Sequence, residues 1–498
     1  EEGQTPASET EADAEAAGTV TFPLEETMEF TAFSGMNGEY VLGDSTSIKQ
    51  ATENANITID FTNVLSADLD EKRNLILNSG DYPDMFLKAN IDANKYGMQG
   101  VLIPLEDLIR QYAPNLTAEL DERDAWQYIT AADGHVYSLP ELGLHSPNDP
   151  ALWINQKWMD NLGLKEPTNF DELYDVLKAF KEEDANGNGD PDDETPLFCD
   201  TGVTPFLLLG YEDYTYSSAT NLAVIDGTLT YVPTHESYKE LLAYITKLYS
   251  EGLLDKNAFT QGHDQAPAIG QSGDILGSFF DAGAFLTVGR DNDDDYIGLT
   301  PFTDTLPLNT AVAANTMAIT DKCEHPEVLI AWADQFYSEE GGKLAWLGVE
   351  GETYQYNEDG KWEWILGNGY GDDIGTVRAA GTMQGAYNHP SVQPDAWMTD
   401  MSAEVDPDEV YLNEQRLKLA EHGAIALPAM VYTEEENAEL ASLTTDINSY
   451  MGQYRAQVAT GELNLDETWD EYVATLNQMG LERLMEIYTR AYEAGIAK

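Results

Sequence analysis

Met28-Glu-Phe-Thr-Ala-Phe33, Ile57-Thr-Ile-Asp-Phe61 and Met85-Phe-Leu87 are three short apolar runs that start 29 and 28 residues apart (57 − 28 and 85 − 57). The first two alternate apolar and polar side chains, as half-buried strands do. Between the second and third, Asp68 to Ser79 follows helical spacing. Its apolar face is Leu69, Leu75, Ile76 and Leu77, and Gly80 stands at the C′ position. Tyr82-Pro-Asp84 turns the chain into the third run. Strand, helix, strand, helix, strand at this spacing predicts βαβ units with parallel neighbours, and so an α/β fold.

The pattern continues outward from this core. Asp133-Gly-His-Val-Tyr-Ser-Leu-Pro140 reads as a tight turn feeding a strand that the proline ends, and Leu152-Trp-Ile-Asn155 as another short strand. Thr168 is the expected N-cap of a helix carrying Asp171 at N3 and Phe170, Leu173, Tyr174, Leu177 and Phe180 on its buried face. The last helix has Leu481, Leu484, Met485, Tyr488, Ala491 and Tyr492 on one face. Residues 1–26 are acidic, rich in Ala, Thr and Ser, and without apolar period, which predicts a disordered tether.

The chain has 498 residues, enough for two to four domains or two large lobes. Its 90 Asp and Glu against 25 Lys and Arg give a formal charge of 25 − 90 = −65. Such a surface repels phosphate backbones and anionic headgroups, which excludes nucleic acid and acidic membranes as partners. The 27 Tyr and 9 Trp exclude a disordered acidic polymer. Cys199 and Cys323 are too few for a disulfide framework; two free thiols are the simpler reading and one long-range bridge the alternative. No apolar run approaches the length that spans a bilayer.

The sharpest local motif is Asp184-Ala-Asn-Gly-Asn-Gly-Asp-Pro-Asp-Asp-Glu194. Oxygen-bearing side chains fall at positions 1, 3 and 5, glycine at 6 and acids beyond, as Ca²⁺ needs in a tight loop. Position 12 is Thr195 and Pro196 follows, so the loop lacks both the usual closing Glu and a second helix. We expect an EF-hand-like loop with a structural Ca²⁺ held by the side chains of Asp184, Asn186, Asn188, Asp193 and Glu194 and the carbonyl of Asp190. The alternative is an acidic surface turn. The aromatics carry a second signal, because sugar rings stack their C–H faces on Trp and Tyr while Asp, Asn and Gln satisfy the hydroxyls. Trp469 reads as a packing residue at a helix start. Trp397, in the polar, proline-rich stretch Tyr387-Asn-His-Pro-Ser-Val-Gln-Pro-Asp-Ala-Trp397, reads as the better ligand candidate. No GxSxG, GxxxxGK[ST] or HExxH occurs, and the seven His are not spaced as a metal pair.

Several of these stretches together resemble the extracellular solute-binding proteins of ABC importers, of the carbohydrate-binding type and the larger lipoprotein subgroup with a calcium loop. Asn78-Ser-Gly-Asp-Tyr-Pro-Asp84 is similar to the family's SGDxPD turn, and Asp133 to Pro140 to its DGKVYxLP. Leu152 to Thr168 resembles its crossover strand and helix start, Glu251-Gly-Leu-Leu-Asp255 its EGLxD, and Gly348-Val-Glu-Gly-Glu-Thr-Tyr354 its GxEGxxY. The resemblance implies a two-lobed, type II periplasmic-binding-protein-like fold whose cleft closes on a solute. It implies a first lobe of 27–145 plus 312–385 and a second of 146–311 plus 386–498. It implies a monomer, without enzymatic activity, that delivers its ligand to the permease subunits. It also implies an extracellular protein anchored by lipid through a cysteine preceding Glu1. The related alginate binders take an acidic sugar and need cations; with 25 basic residues, a neutral oligosaccharide is the expected ligand here. The expected ligand contacts lie in loops at the cleft: Phe33, Met36 and Asn37, then Tyr137 and Glu141, then Asn155, Asp281 and Trp397. The alternatives are a secreted carbohydrate hydrolase using paired carboxylates and a sensor module of the same fold.

Overall fold

Two β-sheets, each with its own hydrophobic core, organise the computed structural model, which describes residues 20–36, 40–148, 150–190, 192–200, 210, 212–384 and 388–497. The first sheet has six strands in the order Ser391–Val392, Leu139–Leu142, Val312–Ile319, Met85–Leu87, Met28–Met36, Ile57–Leu65. Met28–Met36 runs parallel to both Ile57–Leu65 and Met85–Leu87, as the spacing predicts, with Met28 opposite Ile57 and Ala32 opposite Met85. The helix between the first two strands, Thr46–Ala55, is capped by Ser45, whose hydroxyl accepts from the Ile48 amide. It ends at Asn56 in the left-handed conformation. The next helix is Leu69–Ser79, closed by Gly80 at φ 76°. Its inner face is Leu69 and Leu77; Leu75 points to solvent.

Pro140 does not end its strand. It sits inside Leu139–Leu142, beside a bulge in Val312–Ile319, where pairing jumps from Ala313–Glu141 to Met317–Leu139. The bulge removes the acceptor that the missing proline N–H would have left unsatisfied.

The second sheet has the order Ser278–Asp281, Ala151–Asn155, Tyr296–Gly298, all antiparallel. The helix expected from Thr168 starts one residue later, at Phe170, and runs to Glu182. Asn169 is the cap, accepting from the Glu172 amide at 2.9 Å, while Thr168 instead donates to the Glu172 carboxylate. Asn169, in extended backbone, turns its carboxamide oxygen onto the first turn and closes it directly. The C-terminal helix Leu481–Ile496 buries Leu481, Leu484 and Tyr488 in the second core, and Ala491 is buried on the same helix. No helix among the described residues is long and apolar enough to cross a membrane, and both cysteines are free.

The chain leaves the first sheet after Leu142 and enters the second at Ala151, then returns between Gly298 and Val312. On the way, Leu306–Pro307 pairs in parallel with Gly423–Ala424, and Pro147 bridges Leu308. Against the expected lobe boundary at 385/386, Ser391–Val392 pairs with Glu141–Leu142 in the first sheet. Trp397 and Met401 pack with Leu347, Trp362 and Trp364. Trp397 thus completes a core begun at Leu347.

Candidate functional site

The ends of the strands nearest the crossovers gather polar groups on both sheets. On the first, Lys88 follows the buried strand Met85–Leu87 at φ 53°, its amide donating to the Thr316 carbonyl at 2.8 Å. Its ammonium is buried and donates to the Met383 carbonyl. Glu141, in Leu139–Leu142 on the far side of Val312–Ile319, accepts from the His389 amide at 3.0 Å, and its Oε2 stands 3.6 Å from His389 Nε2. The His389 ring shares a hydrogen bond with Ser391 Oγ at 2.9 Å, and Trp346 Nε1 donates to the same hydroxyl at 3.1 Å. Burial pushes the Lys88 ammonium down to about 7, with the Glu141 charge opposing that fall. Burial raises the Glu141 carboxyl, and burial followed by the Lys88 charge holds His389 well below its ordinary range. His389 is thus a neutral ring, and its contact with Glu141 is not an ion pair. Glu141 also lines a cavity of about 290 Å³ walled by the crossover residues Ser146 and Asn309–Ala313 and by Trp346 and Asn388.

On the second sheet, Asp281 pairs with Ala151 at the end where the chain enters from the first. Phe198 bridges Phe279 in parallel, which sets Asp200 beside Asp281. His263 lies between them, Nδ1 3.0 Å from Asp200 Oδ2 and Nε2 3.7 Å from Asp281 Oδ2. Both carboxylates are buried while the ring is half exposed. Asp281 also accepts from Thr287 Oγ1 at 2.6 Å and the Ala282 amide at 2.7 Å, and burial raises its carboxyl. The arrangement offers buried, pre-oriented acceptors and a half-exposed ring to neutral hydroxyl groups.

The residues expected to touch ligand divide sharply. Met36 ends its strand half-buried, Glu141 lines the crossover cavity and Asp281 belongs to the second cluster. Asn37 lies outside the described residues. Phe33 is packed on Phe86 with ring centroids 5.6 Å apart. Tyr137 covers Gly97 and donates to Asp133. Asn155 sits at the far end of its strand from Asp281 and caps the helix Gln156–Leu162, accepting from the Trp158 amide at 3.0 Å. Trp397 lies in the short helix Ala396–Thr399 rather than an open loop, 4 % exposed and stacked on Trp362 at 5.5 Å. Trp469 is the packing residue expected, against Tyr472. Lys88, His389, Asp200 and His263 escaped the sequence reading; a lysine directly after the apolar run Met85–Leu87 was the one local signal.

The loop after Phe170–Glu182 turns as the sequence predicts, with Gly187 and Gly189 at φ 74° and 92°. Asp184 Oδ2 accepts from the Gly189 amide at 2.9 Å, and Glu194 Oε1 from the Ala185 amide at 3.0 Å. The amides of Asn186 and Asn188 donate to the Asp193 carboxylate, and Asp190 Oδ1 accepts from the Asp192 amide. Extended backbone follows, Thr195 bridging Leu276 and Leu197 bridging Leu254. Among the described residues no three acidic, His or Cys side chains converge closely enough to hold a metal. Yet Asp184 Oδ1 and Glu194 Oε2 are buried with no hydrogen-bond partner. Two orphaned carboxylate oxygens in one loop fit a cation, since each costs free energy unless it is paired.

Comparison with known proteins follows the same lines. Residues 43–343 match the family model described as bacterial extracellular solute-binding protein. The fructooligosaccharide ABC transporter substrate-binding protein FusA of Streptococcus pneumoniae serotype 4 (strain ATCC BAA-334 / TIGR4) is 29% identical, over 95% of this chain and 92% of its own. Lipoprotein LipO of Bacillus subtilis (strain 168) is 23% identical, over 90% and 89%. Among solved structures, an EF-hand mutant of S. pneumoniae FusA in complex with fructo-nystose superposes with a TM-score of 0.68 at 25% identity, covering 95% of this chain and 100% of that one. An HMO-binding ABC-transporter-associated solute-binding protein from Bifidobacterium longum infantis ATCC 15697 shares the fold, with a TM-score of 0.77 at 23% identity over 94% and 99%. The architecture is the type II periplasmic-binding-protein fold, two lobes joined by crossover segments, and the chain belongs to the bacterial extracellular solute-binding protein family.

Proposed function

We propose that this protein captures a neutral oligosaccharide between its lobes outside the cell and hands it, unaltered, to the permease of an ABC importer. The observation that carries the reading is the pair of polar clusters at the crossover ends of the two sheets, Lys88–Glu141–His389 and Asp200–His263–Asp281. Neither alone encloses a solute; a ligand held by both gains contacts only when the lobes approach, and that differential affinity drives closure. The family membership and the fructooligosaccharide named for a relative support the ligand class. Our reading of the lobes is 27–142 plus 312–402 and 151–298 plus 407–498. It includes a structural Ca²⁺ held by Asp184, Asn186, Asn188, Asp193 and Glu194 with the Asp190 carbonyl, a monomeric state and a lipid anchor upstream of Glu1. The ion would cross-link the loop, and this chain's residues bind it without any role in the sugar site.

Thermal shift across neutral oligosaccharides, acidic oligosaccharides and peptides tests the proposal, because a cleft ligand stabilises by RT ln(1 + [L]/Kd). Stabilisation by a neutral saccharide recovered intact is the expected result. Stabilisation by peptides alone, or shortened saccharide products, would overturn it.

A further inference from the structure

The helix Pro407–Ala420 is fixed to the second sheet, yet one of its side chains reaches into the first lobe. Helical spacing gives it two opposed faces, with Tyr411, Leu412, Gln415 and Lys418 on one and Val410 and Asn413 on the other. The first face holds the second sheet. Leu412 is buried with Phe279 and Tyr296, and Tyr411 donates to the Tyr296 carbonyl. Gly298 is held at both backbone groups: its amide donates to Gln415 Oε1 at 3.1 Å, and its carbonyl accepts from Lys418 Nζ at 2.9 Å.

The other face meets the tryptophan core of the first lobe. Val410 packs against that core, and Asn413, 0 % exposed, donates from Nδ2 to the Trp397 carbonyl at 3.2 Å. Asn413 Oδ1 is buried with no hydrogen-bond partner among the described residues. An apolar side chain would fill this position without leaving an oxygen unpaired. What the amide adds is direction, since a hydrogen bond fixes distance and angle where apolar surfaces can slide. Trp397 in turn leans on Trp346, with ring centroids 5.3 Å apart. Trp346 meets the His389 ring at 5.4 Å and lines the crossover cavity beside Glu141. Contacts thus run without a gap from Gly298 in the second sheet, through the helix, Asn413 and Trp397, to the aromatic wall of the cavity.

We infer that Asn413 is a positioning residue for ligand capture, which carries the movement of the second lobe to Trp397 and so sets Trp346 against the solute as the lobes close. The inference rests on the oligosaccharide reading above and assigns to that site a residue that touches no ligand. The helix and the second sheet move as one body, and the hydrogen bond makes the Trp397 backbone follow. Contact between the solute and Trp346 then depends on closure, which adds to the differential affinity for the closed state.

The test is calorimetric titration of the full chain with the neutral oligosaccharide that gives the largest thermal shift, for N413L, W346F and the double variant. Leu keeps the branching at Cγ and removes the orphaned oxygen along with the bond to Trp397. N413L should melt near the wild type and bind about three- to tenfold more weakly, the net worth of one hydrogen bond. W346F should weaken binding at least as much, and the double variant no more than W346F alone, since both changes act through one ring. A merely structural Asn413 would move melting and affinity together and would add to W346F. Hydrogen exchange on the wild type needs no substitution: the saccharide should slow exchange in Ala396–Thr399 and Pro407–Ala420 together. Wild-type affinity in N413L, a loss that adds in full to that of W346F, or protection confined to the first lobe overturns the inference and leaves the oligosaccharide reading standing. Failure of every neutral oligosaccharide to bind overturns both.

Discussion

Replacing Lys88 by Met should stabilise the protein, and by an amount that depends on pH. Burial lowers the folded ammonium from 10.5 to about 7, while the unfolded chain keeps the ordinary value. Between those limits the unfolded state binds more protons, so stability rises with pH through this window. Below about 7 the penalty is fully present, and above about 10.5 it is gone. At about 1.4 kcal/mol per pKa unit, the lysine costs about 4 kcal/mol at pH 7 and about 2 kcal/mol at pH 9. Met fills a similar volume but strands the Met383 carbonyl that Lys88 now serves, at a cost of about 1–3 kcal/mol that does not vary with pH. Urea denaturation of wild type and K88M at pH 7, 8 and 9 measures the effect; Glu141 and His389 are the groups whose titration the loss of the Lys88 charge also alters. The expected result is a difference in unfolding free energy that shrinks by about 2 kcal/mol from pH 7 to pH 9. A constant difference across the window would mean that Lys88 is not held neutral-prone by burial, and the account of the first cluster would fall with it.

Removing divalent cations with a chelator should lower the melting temperature without abolishing saccharide binding, and E194Q should blunt that response; identical melts with and without chelator would reject the Ca²⁺ assignment. Gly97→Ala places a Cβ 2.2 Å from the Tyr137 ring, so it should cost about 1–3 kcal/mol or more, read as a shift of the denaturation midpoint. Asn155→Ala removes the helix cap and should cost about 0.5–2 kcal/mol while leaving ligand affinity unchanged; a fall in affinity at unchanged stability would return Asn155 to the cleft.

The parallel core of the first sheet was legible because Met28–Phe33, Ile57–Phe61 and Met85–Leu87 carry their periodicity locally, and Gly80 marks a helix end by backbone chemistry alone. The turn of the loop Asp184 to Glu194 was legible for the same reason: Gly187 and Gly189, at positive φ, and the oxygen-bearing side chains around them are contiguous. The polar clusters were not, because their members meet only through tertiary structure. Glu141 and His389 are 248 residues apart, and Lys88 and Met383 are 295 apart. Trp397 was misplaced for the opposite reason. Its flanking prolines and polar residues look like an open loop, but Trp346, Trp362 and Trp364 arrive from elsewhere to bury it. Asn155 looked like a ligand contact because a strand end before a helix serves either a cleft or a cap, and only the direction of the strand decides between them.

The central strands of the first sheet reach their neighbours from stretches as distant as Met28–Leu87, Leu139–Leu142, Val312–Ile319 and Ser391–Val392. An emerging polypeptide cannot zip this sheet to completion until about four-fifths of its length is available (392 of 498 residues). Such far-flung partners make assembly slow, and they leave Leu139–Leu142 with a bare margin in any fragment that stops short of Ser391. Truncation for expression or crystallisation should therefore keep the chain through Val392, since a fragment that stops short of it exposes an adhesive edge.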